Sequence, residues 1–286
     1  EASKLNVWSE RRKWISTLDT RVLMSKIEDV MITERQKKLL DFIIREYVKH
    51  AEPVGSALVV EQSNLDVSPA TIRNEMQTLE NDGYLVQPHT SAGRVPTDKA
   101  YRLFVNGLLQ QENIGIESRS KRRIDNAFAE VAHDPREINR MVAHLLNELT
   151  DNLVIVNDSA SDEFYQKGLA SLLEFPEFRE FGRTFELMSF FDQFDERFIQ
   201  LERQFFGGIN ELQHFKIFIG RENPFGAIEE ETMIHAKYHL PQHRMGSVTI
   251  IGPIRMDYEY NLGLINYTAE KVNTLTETVE NYERAQ

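Results

Sequence analysis

Residues 67–96 read VSPATIRNEMQTLENDGYLVQPHTSAGRVP, and this stretch decides the fold. Ser68 followed by Pro69 is a cap with proline at the first helical position, so a helix is expected from Pro69 to about Asn81, stopping at Gly83. On a helical wheel of ~100° per residue, Met76 and Leu79 fall within about 40° of Ile72 and mark the buried face. Ala70, Arg73, Asn74, Gln77 and Asn81 then point outward, with Glu75 and Glu80 on the flanks. After Gly83 the pattern changes to YLVQ, PHTSAG and RVP, which reads as two short strands joined by a loop of turn formers.

Upstream, residues 33–50 (TERQKKLLDFIIREYVKH) open with Thr33 as N-cap and place Leu39, Leu40, Ile43, Ile44, Tyr47 and Val48 at helical spacing. The loop AEPVG then delivers Ser56, expected to cap a short second helix reaching about Gln62. Downstream, Thr97 is expected to cap a fourth helix, TDKAYRLFVNGLLQ. Helix, helix, helix, strand, loop, strand is the order of a winged helix-turn-helix, although the order alone also suits purely structural three-helix units.

The outward face of the third helix has major-groove chemistry. Arginine forks to guanine O6 and N7, asparagine or glutamine pairs with adenine N6 and N7, and alanine meets a thymine methyl. The wing carries His89, Thr90, Ser91 and Arg94 around Gly93, with Pro88 and Pro96 stiffening its stems. Hydroxyls, backbone N–H groups and one arginine suit phosphate or minor-groove contact, which positions a reader without specifying sequence. Lys37, Lys38, Lys49, Lys99 and Arg102 are further phosphate candidates, each of which reads equally well as a plain surface charge.

Taken whole, the charge argues against DNA. The 286 residues carry 33 Lys+Arg against 45 Asp+Glu, for a formal charge of −12. Residues 1–110 hold 15 of each sign, so the remaining 18 basic and 30 acidic residues, and the whole imbalance, lie in 111–286. A neutral front and an acidic back accompany separate domains with separate partners. There is no cysteine, which excludes disulfides, thiolate metal sites and cysteine nucleophiles. No apolar run approaches the ~20 residues that span a bilayer, and the first thirty residues lack the apolar core of a secretory signal; a cytoplasmic protein is expected.

The back half reads as α+β. Residues 111–150 are helical with one break, where Asp134-Pro135-Arg136-Glu137 marks a fresh start and Ile138, Met141, Val142, Leu145, Leu146 and Leu149 form an apolar stripe. LVIV, FKIFIG, MIHAKYHL and SVTIIG are expected strands, and 162–174, 182–205 and 258–281 expected helices. The Phe-rich stretch 175–206 is expected to be core, and Glu229, Glu230 and Glu231 a solvated turn.

ITERQKKLLDFIIREYVKHAEPVGS, followed by LDVSPATIRNEMQTLENDGYLVQPHTSAGRVPTDKAYRLFV, closely resembles the N-terminal DNA-binding domain of the HrcA family of bacterial heat-inducible transcription repressors. The likeness is dense over 31–109. It continues in patches, HLLNELT at 144–150, LASLLEFPEF at 169–178, IGRENPF at 219–225 and IGPIRMDYEYNLGLINYTAEKV at 251–272, that look like the family's GAF-like C-terminal domain. The resemblance implies an extension over 1–30, a winged helix-turn-helix over 31–110, a helical connector with a possible dimer contact over 111–150, and a GAF-like α/β regulatory domain over 151–286. It also implies a homodimeric repressor of groE and dnaK chaperone operons that binds an inverted repeat called CIRCE and is kept active by the GroEL chaperonin until unfolded clients occupy it. Carried over by motif, Ser68, Ala70, Thr71, Arg73, Asn74 and Gln77 would read DNA, and the wing from His89 through Thr90 and Ser91 to Arg94 would brace them. One departure stands out. Family members usually insert a long dimerisation domain between the helix ending near Thr150 and LLEFPEF, and here only about VIVNDSASDEFYQKG remains.

Three rivals stand against this reading, the last a structural or adaptor protein that uses the winged helix for protein contacts and binds no operator. An enzyme would need a constellation, and the sequence shows no H-E-x-x-H, G-x-S-x-G, Walker loop or G-x-G-x-x-G. His235, His239 and His243 recur every four residues, but Pro241 breaks the run, so solvated or hydrogen-bonded histidines are expected, with no metal or cofactor. The second rival is a small-molecule-responsive regulator with a ligand pocket in the GAF-like domain, which fold alone does not exclude.

Overall fold

The computed structural model describes residues 32–63, 65, 67–111, 114–131, 134–160, 164–179, 181–192, 215–223 and 230–284. The expected extension over 1–30 and the part of the Phe-rich stretch beyond 192 lie outside them. The chain divides into two compact units, 1–112 and 113–286.

In the first unit, α1 (Glu34–His50) starts with a reciprocal cap. Thr33 Oγ1 accepts from the Gln36 backbone at 3.2 Å while Gln36 Oε1 accepts from the Thr33 N–H at 2.8 Å. Its Leu39, Leu40, Ile43 and Ile44 are buried as the spacing requires. Helix α2 (Ser56–Gln62) begins one residue earlier than expected, with Gly55 in the cap position and no side-chain cap. Ser56 is therefore the first helical residue, and its hydroxyl turns to α3 instead. Helix α3 (Pro69–Asn81) is capped by Ser68, which accepts from the Thr71 N–H at 3.2 Å, and buries Ile72, Met76 and Leu79. Strands β1 (Leu85–Val86) and β2 (Val95–Pro96) pair antiparallel with Leu85 opposite Pro96. Helix α4 (Asp98–Leu109) closes the unit under a Thr97 cap, and that hydroxyl also donates to the Gly83 carbonyl at 2.7 Å.

The second unit is built on five antiparallel strands in the order β4-β3-β7-β6-β5: β3 (Leu153–Asp158), β4 (Phe164–Lys167), β5 (Phe215–Ile219), β6 (Glu231–Leu240) and β7 (Arg244–Pro253). Successive side chains alternate between the two faces of such a sheet. Leu153, Ile155, Met233 and Ile251 cluster on one face with Leu172, Phe178 and Leu187, which come from α7 (Leu169–Glu174), a 3-10 turn at Pro176–Phe178 and α8 (Phe181–Asp192). On the other face Val154, Ile234, Ala236 and Ile250 are equally buried. This second face is tied to α6 (Pro135–Thr150) through a Tyr238 hydroxyl donating to Asn139 at 2.7 Å, and to α9 (Tyr258–Arg284) through Thr232 and Tyr258 hydroxyls 2.7 Å apart. Helix α5 (Ser118–Glu130) is stitched to α9 by a Tyr267 hydroxyl donating to Asp125 at 2.7 Å and by a Lys271–Asp125 pair at 2.6 Å.

Four expectations change. The helices over 111–150 do not stand apart as a connector: α6 packs its buried Ile138, Val142, Leu145 and Leu146 in the second unit and touches β3 and β4. The stretch 162–174 is not one helix, because Phe164–Lys167 pairs with β3 from Val154 to Asn157, and Gly168 turns the chain at φ 94° before α7. A Cβ at Gly168 would also meet the Asn152 carbonyl oxygen at 2.4 Å, so glycine is required there twice over. Of the Phe-rich stretch, Phe175 and Phe178 are core but Phe185 is 63% exposed. Finally, Glu231 is no solvated turn residue: it opens β6 opposite Pro253 and is only 8% exposed. Burial, then the neighbouring Glu230 charge, pushes its carboxyl up to about 7, against a weaker pull from backbone hydrogen bonds. Among the described residues no helix is long and apolar enough to cross a membrane.

Candidate nucleic-acid interface

The exposed side of α3 carries Ala70, Arg73, Asn74 and Gln77, as its periodicity dictates. Ser68 is exposed at the helix start, and its hydroxyl lies 2.9 Å from that of the half-buried Thr71, so these two hydroxyls are joined in the cap. Arg73 Nε donates to Ser56 Oγ at 3.2 Å, which connects α3 to the start of α2. The shift of Ser56 from cap to first helical residue is what makes that contact available.

Both flanking carboxylates have arginine partners. Arg35 on α1 holds Glu75, with its Nε 3.0 Å from the carboxylate. Arg94, at the foot of the wing, holds Glu80 at 2.9 Å. These partly buried ion pairs neutralise negative charge beside the face. Arg94 Nη2 also reaches Gln77 Oε1 at 3.4 Å, and Gln77 Nε2 donates onward to Asn81 at 3.2 Å.

The wing is stapled from within. Gln87 Nε2 donates to the Thr90 and Ala92 carbonyls at 3.0 and 2.9 Å, which leaves His89, Thr90 and Ser91 exposed at the tip. At its base Val54 and Arg94 exchange two backbone hydrogen bonds of 2.9 Å, adding the α1–α2 loop as a third strand-like segment. Gly93 permits that approach, because a Cβ there would stand 2.4 Å from the Val54 carbonyl carbon. Arg94 thus differs from its wing neighbours: its side chain is 15% exposed and faces α3.

The other cationic candidates are scattered. Lys37 pairs with Glu34 at 2.7 Å and Lys49 with Glu46 at 3.3 Å. Lys99 lies over the Tyr84 ring at 4.3 Å and donates to the Asp82 carbonyl, Lys38 is exposed on α1, and Arg102 is half-buried on α4. Sequence reading missed the Arg35–Glu75, Arg94–Glu80 and Arg73–Ser56 contacts. Partners 14 to 40 residues apart leave no local periodic signal, and only the packing of α1, α2 and the wing on α3 creates them.

The three periodic histidines do not converge. His235 is fully buried with Nδ1 2.9 Å from Thr249 Oγ1, and burial, then the charges of Lys237 and Lys216, pushes its pKa down to about 3. His239 is exposed, and His243 is exposed at the hairpin tip 3.2 Å from Glu280. They are hydrogen-bonded or solvated histidines, as the break at Pro241 implied.

Comparison with known proteins matches both units. A family model described as the winged helix-turn-helix transcription repressor, HrcA DNA-binding domain, covers residues 31–109, and one described as the HrcA protein C-terminal domain covers 101–260. The heat-inducible transcription repressor HrcA of Geobacter sulfurreducens is 29% identical over 345 aligned positions, covering 86% of this chain and 98% of that protein. Since 86% of 286 residues is about 246, about 100 of those positions face gaps here. The repressor of the same name from Frankia casuarinae is 45% identical over 126 residues, 44% of this chain and 36% of that protein. A crystal structure described only as a hypothetical protein superposes with a TM-score of 0.69 at 22% identity, covering 87% of this chain and 99% of that one, which shows the shared fold. With the family's two models meeting across the winged unit and the sheet-bearing unit, the chain belongs to the HrcA family of heat-inducible transcription repressors.

Proposed function

We propose that the chain represses chaperone operons of the groE and dnaK type by binding a CIRCE-type inverted repeat as a homodimer, with a GroEL-type chaperonin tuning its activity. One observation supports the DNA contact above all: on α3 the flanking carboxylates are already paired with Arg35 and Arg94, so the outward face offers amides, a hydroxyl, a methyl and one guanidinium. Ser68, Ala70, Thr71, Arg73, Asn74 and Gln77 lie along the groove in this reading, and His89, Thr90 and Ser91 meet the backbone, braced by Arg94. The operator, the dimer and the chaperonin rest on family membership. Two reading helices related by a twofold axis would meet half-sites one turn or a multiple apart, ~34–36 Å per turn.

Fluorescence anisotropy of a CIRCE-type duplex against a scrambled duplex of equal length tests the proposal. Preference for the repeat is the expected result, and equal affinity for both duplexes overturns it. Arg73→Ala and Asn74→Ala should each cost about 1–3 kcal/mol on the repeat and little on the scrambled duplex, as lost base contacts do. An equal loss on both duplexes would assign these side chains to the phosphates.

A further inference from the structure

We infer that Arg94 is a positioning residue for base readout: it fixes the amide of Gln77 from behind, and so sets the base preference at the Gln77 contact without touching DNA. The inference rests on the DNA-reading role proposed above for α3. The geometry is a four-residue chain. Glu80 anchors the Arg94 guanidinium at 2.9 Å, Arg94 Nη2 reaches Gln77 Oε1 at 3.4 Å, and Gln77 Nε2 donates to Asn81 Oδ1 at 3.2 Å. Glu80 and Gln77 are one turn apart on α3, so one Nη2 with two diverging hydrogens serves both. The guanidinium has little freedom to leave. Its side chain is 15% exposed, its backbone is bonded in both directions to Val54, and Gly93 lies hard against residues 53 and 54.

The consequence is chemical. A free glutamine amide presents its donor and acceptor in either order. Turning the Gln77 amide over would aim its NH2 at a guanidinium that has only donors. With Oε1 toward Arg94 and Nε2 toward Asn81, one lone pair and one N–H remain in the amide plane, in a fixed order. Adenine offers N6–H and N7 in a fixed order as well. The anchored amide therefore favours one orientation of an A·T pair, whereas an unanchored amide also accepts others by flipping or swinging away. A phosphate contact by Arg94 would behave differently, acting on all sequences alike and contributing to the salt dependence.

The test is selection from a duplex pool randomised over about 30 base pairs, roughly three helical turns, using the full chain. Failure of the wild-type protein to enrich any motif would remove the DNA-reading proposal itself. Given a wild-type motif, Arg94→Ala should lose about ten-fold in preference at one base pair per half-site, the same pair that Gln77→Ala relaxes. Adding Arg94→Ala to Gln77→Ala should cost no further preference, and the salt slope of Arg94→Ala should equal that of the wild type. An unchanged motif, or a uniform loss with a slope smaller by about one unit, overturns the inference in favour of a bystander or a phosphate contact. Should Arg94→Ala fail to fold, Glu80→Gln decides: it keeps the arginine but loosens its anchor, and it should relax the same base pair by a few fold. An unchanged motif in a folded Glu80→Gln protein counts against the anchoring role.

Discussion

Replacing Glu231 with Gln is expected to stabilise the second unit by about 3 kcal/mol at pH 8 and to leave it unchanged at pH 4. The folded carboxyl titrates near 7 against an ordinary value of 4.5. Below 4.5 both states hold the proton and nothing is at stake. Between 4.5 and 7 the folded state keeps a proton that the unfolded state releases, so stability falls as pH rises, and above 7 the whole penalty of a buried charge is present. His235 acts in the opposite sense. Its folded value near 3 lies below the ordinary 6.5, so its contribution is complete above 6.5 and is lost as pH falls toward 3. From 4.5 to 6.5 the two slopes cancel in the wild-type protein. Glu231→Gln removes one of them, and the variant should therefore gain stability with pH across that window. Thermal midpoints from pH 4 to 8 check this, and a constant offset between variant and wild type would show that Glu231 does not titrate as its burial demands.

Gly93→Ala should destabilise the winged unit by about 2–3 kcal/mol, the upper part of the range for overpacking a tight site. The new methyl would meet the Val54 carbonyl carbon, the Val54 oxygen and the Pro53 oxygen at 2.4, 2.5 and 2.6 Å, all of them backbone atoms that cannot rotate aside. The wing must then lift from the α1–α2 loop and break the paired Val54–Arg94 hydrogen bonds. Hydrogen exchange at those two amides is the direct readout: both should lose protection while the second unit keeps its own. Unaltered exchange at Val54 and Arg94 would mean that the loop shifts as one piece with the wing.

Helix α3 was legible because its signals are local. Ser68-Pro69 caps it, Ile72, Met76 and Leu79 set its phase, and Gly83 follows its end, so the outward residues are dictated before any tertiary contact exists. The same holds for α1, α4 and the long α9. What escaped the sequence depends on partners. Phe164–Lys167 is too short to show an alternation and is a strand because β3 lies beside it. Three consecutive glutamates look solvated by composition, yet the β6 register places Glu231 opposite Pro253 and inside. Within the site, residue types and their exposed placement were readable, whereas the inward turn of Arg94 was not. A wing arginine has the same local sequence whether it faces phosphate or Glu80, and only the Val54 bridge settles its direction.

The two hydrogen bonds from Gln87 across the wing loop bear on how fast the protein associates. A loop that must be ordered on arrival slows capture, since most encounters end before it closes. In the proposed contact, the turn from Gln87 to Ala92 is already bonded in the free chain, so its ordering belongs to folding and each correctly oriented collision meets a finished wing. Association is then governed by diffusion and by the field of the molecule, and the acidic back part of the chain, residues 111–286 with 30 acidic residues against 18 basic, opposes approach to a polyanion. The capture rate should therefore rise, within limits, as added salt screens that repulsion, while the lifetime of the bound complex shortens.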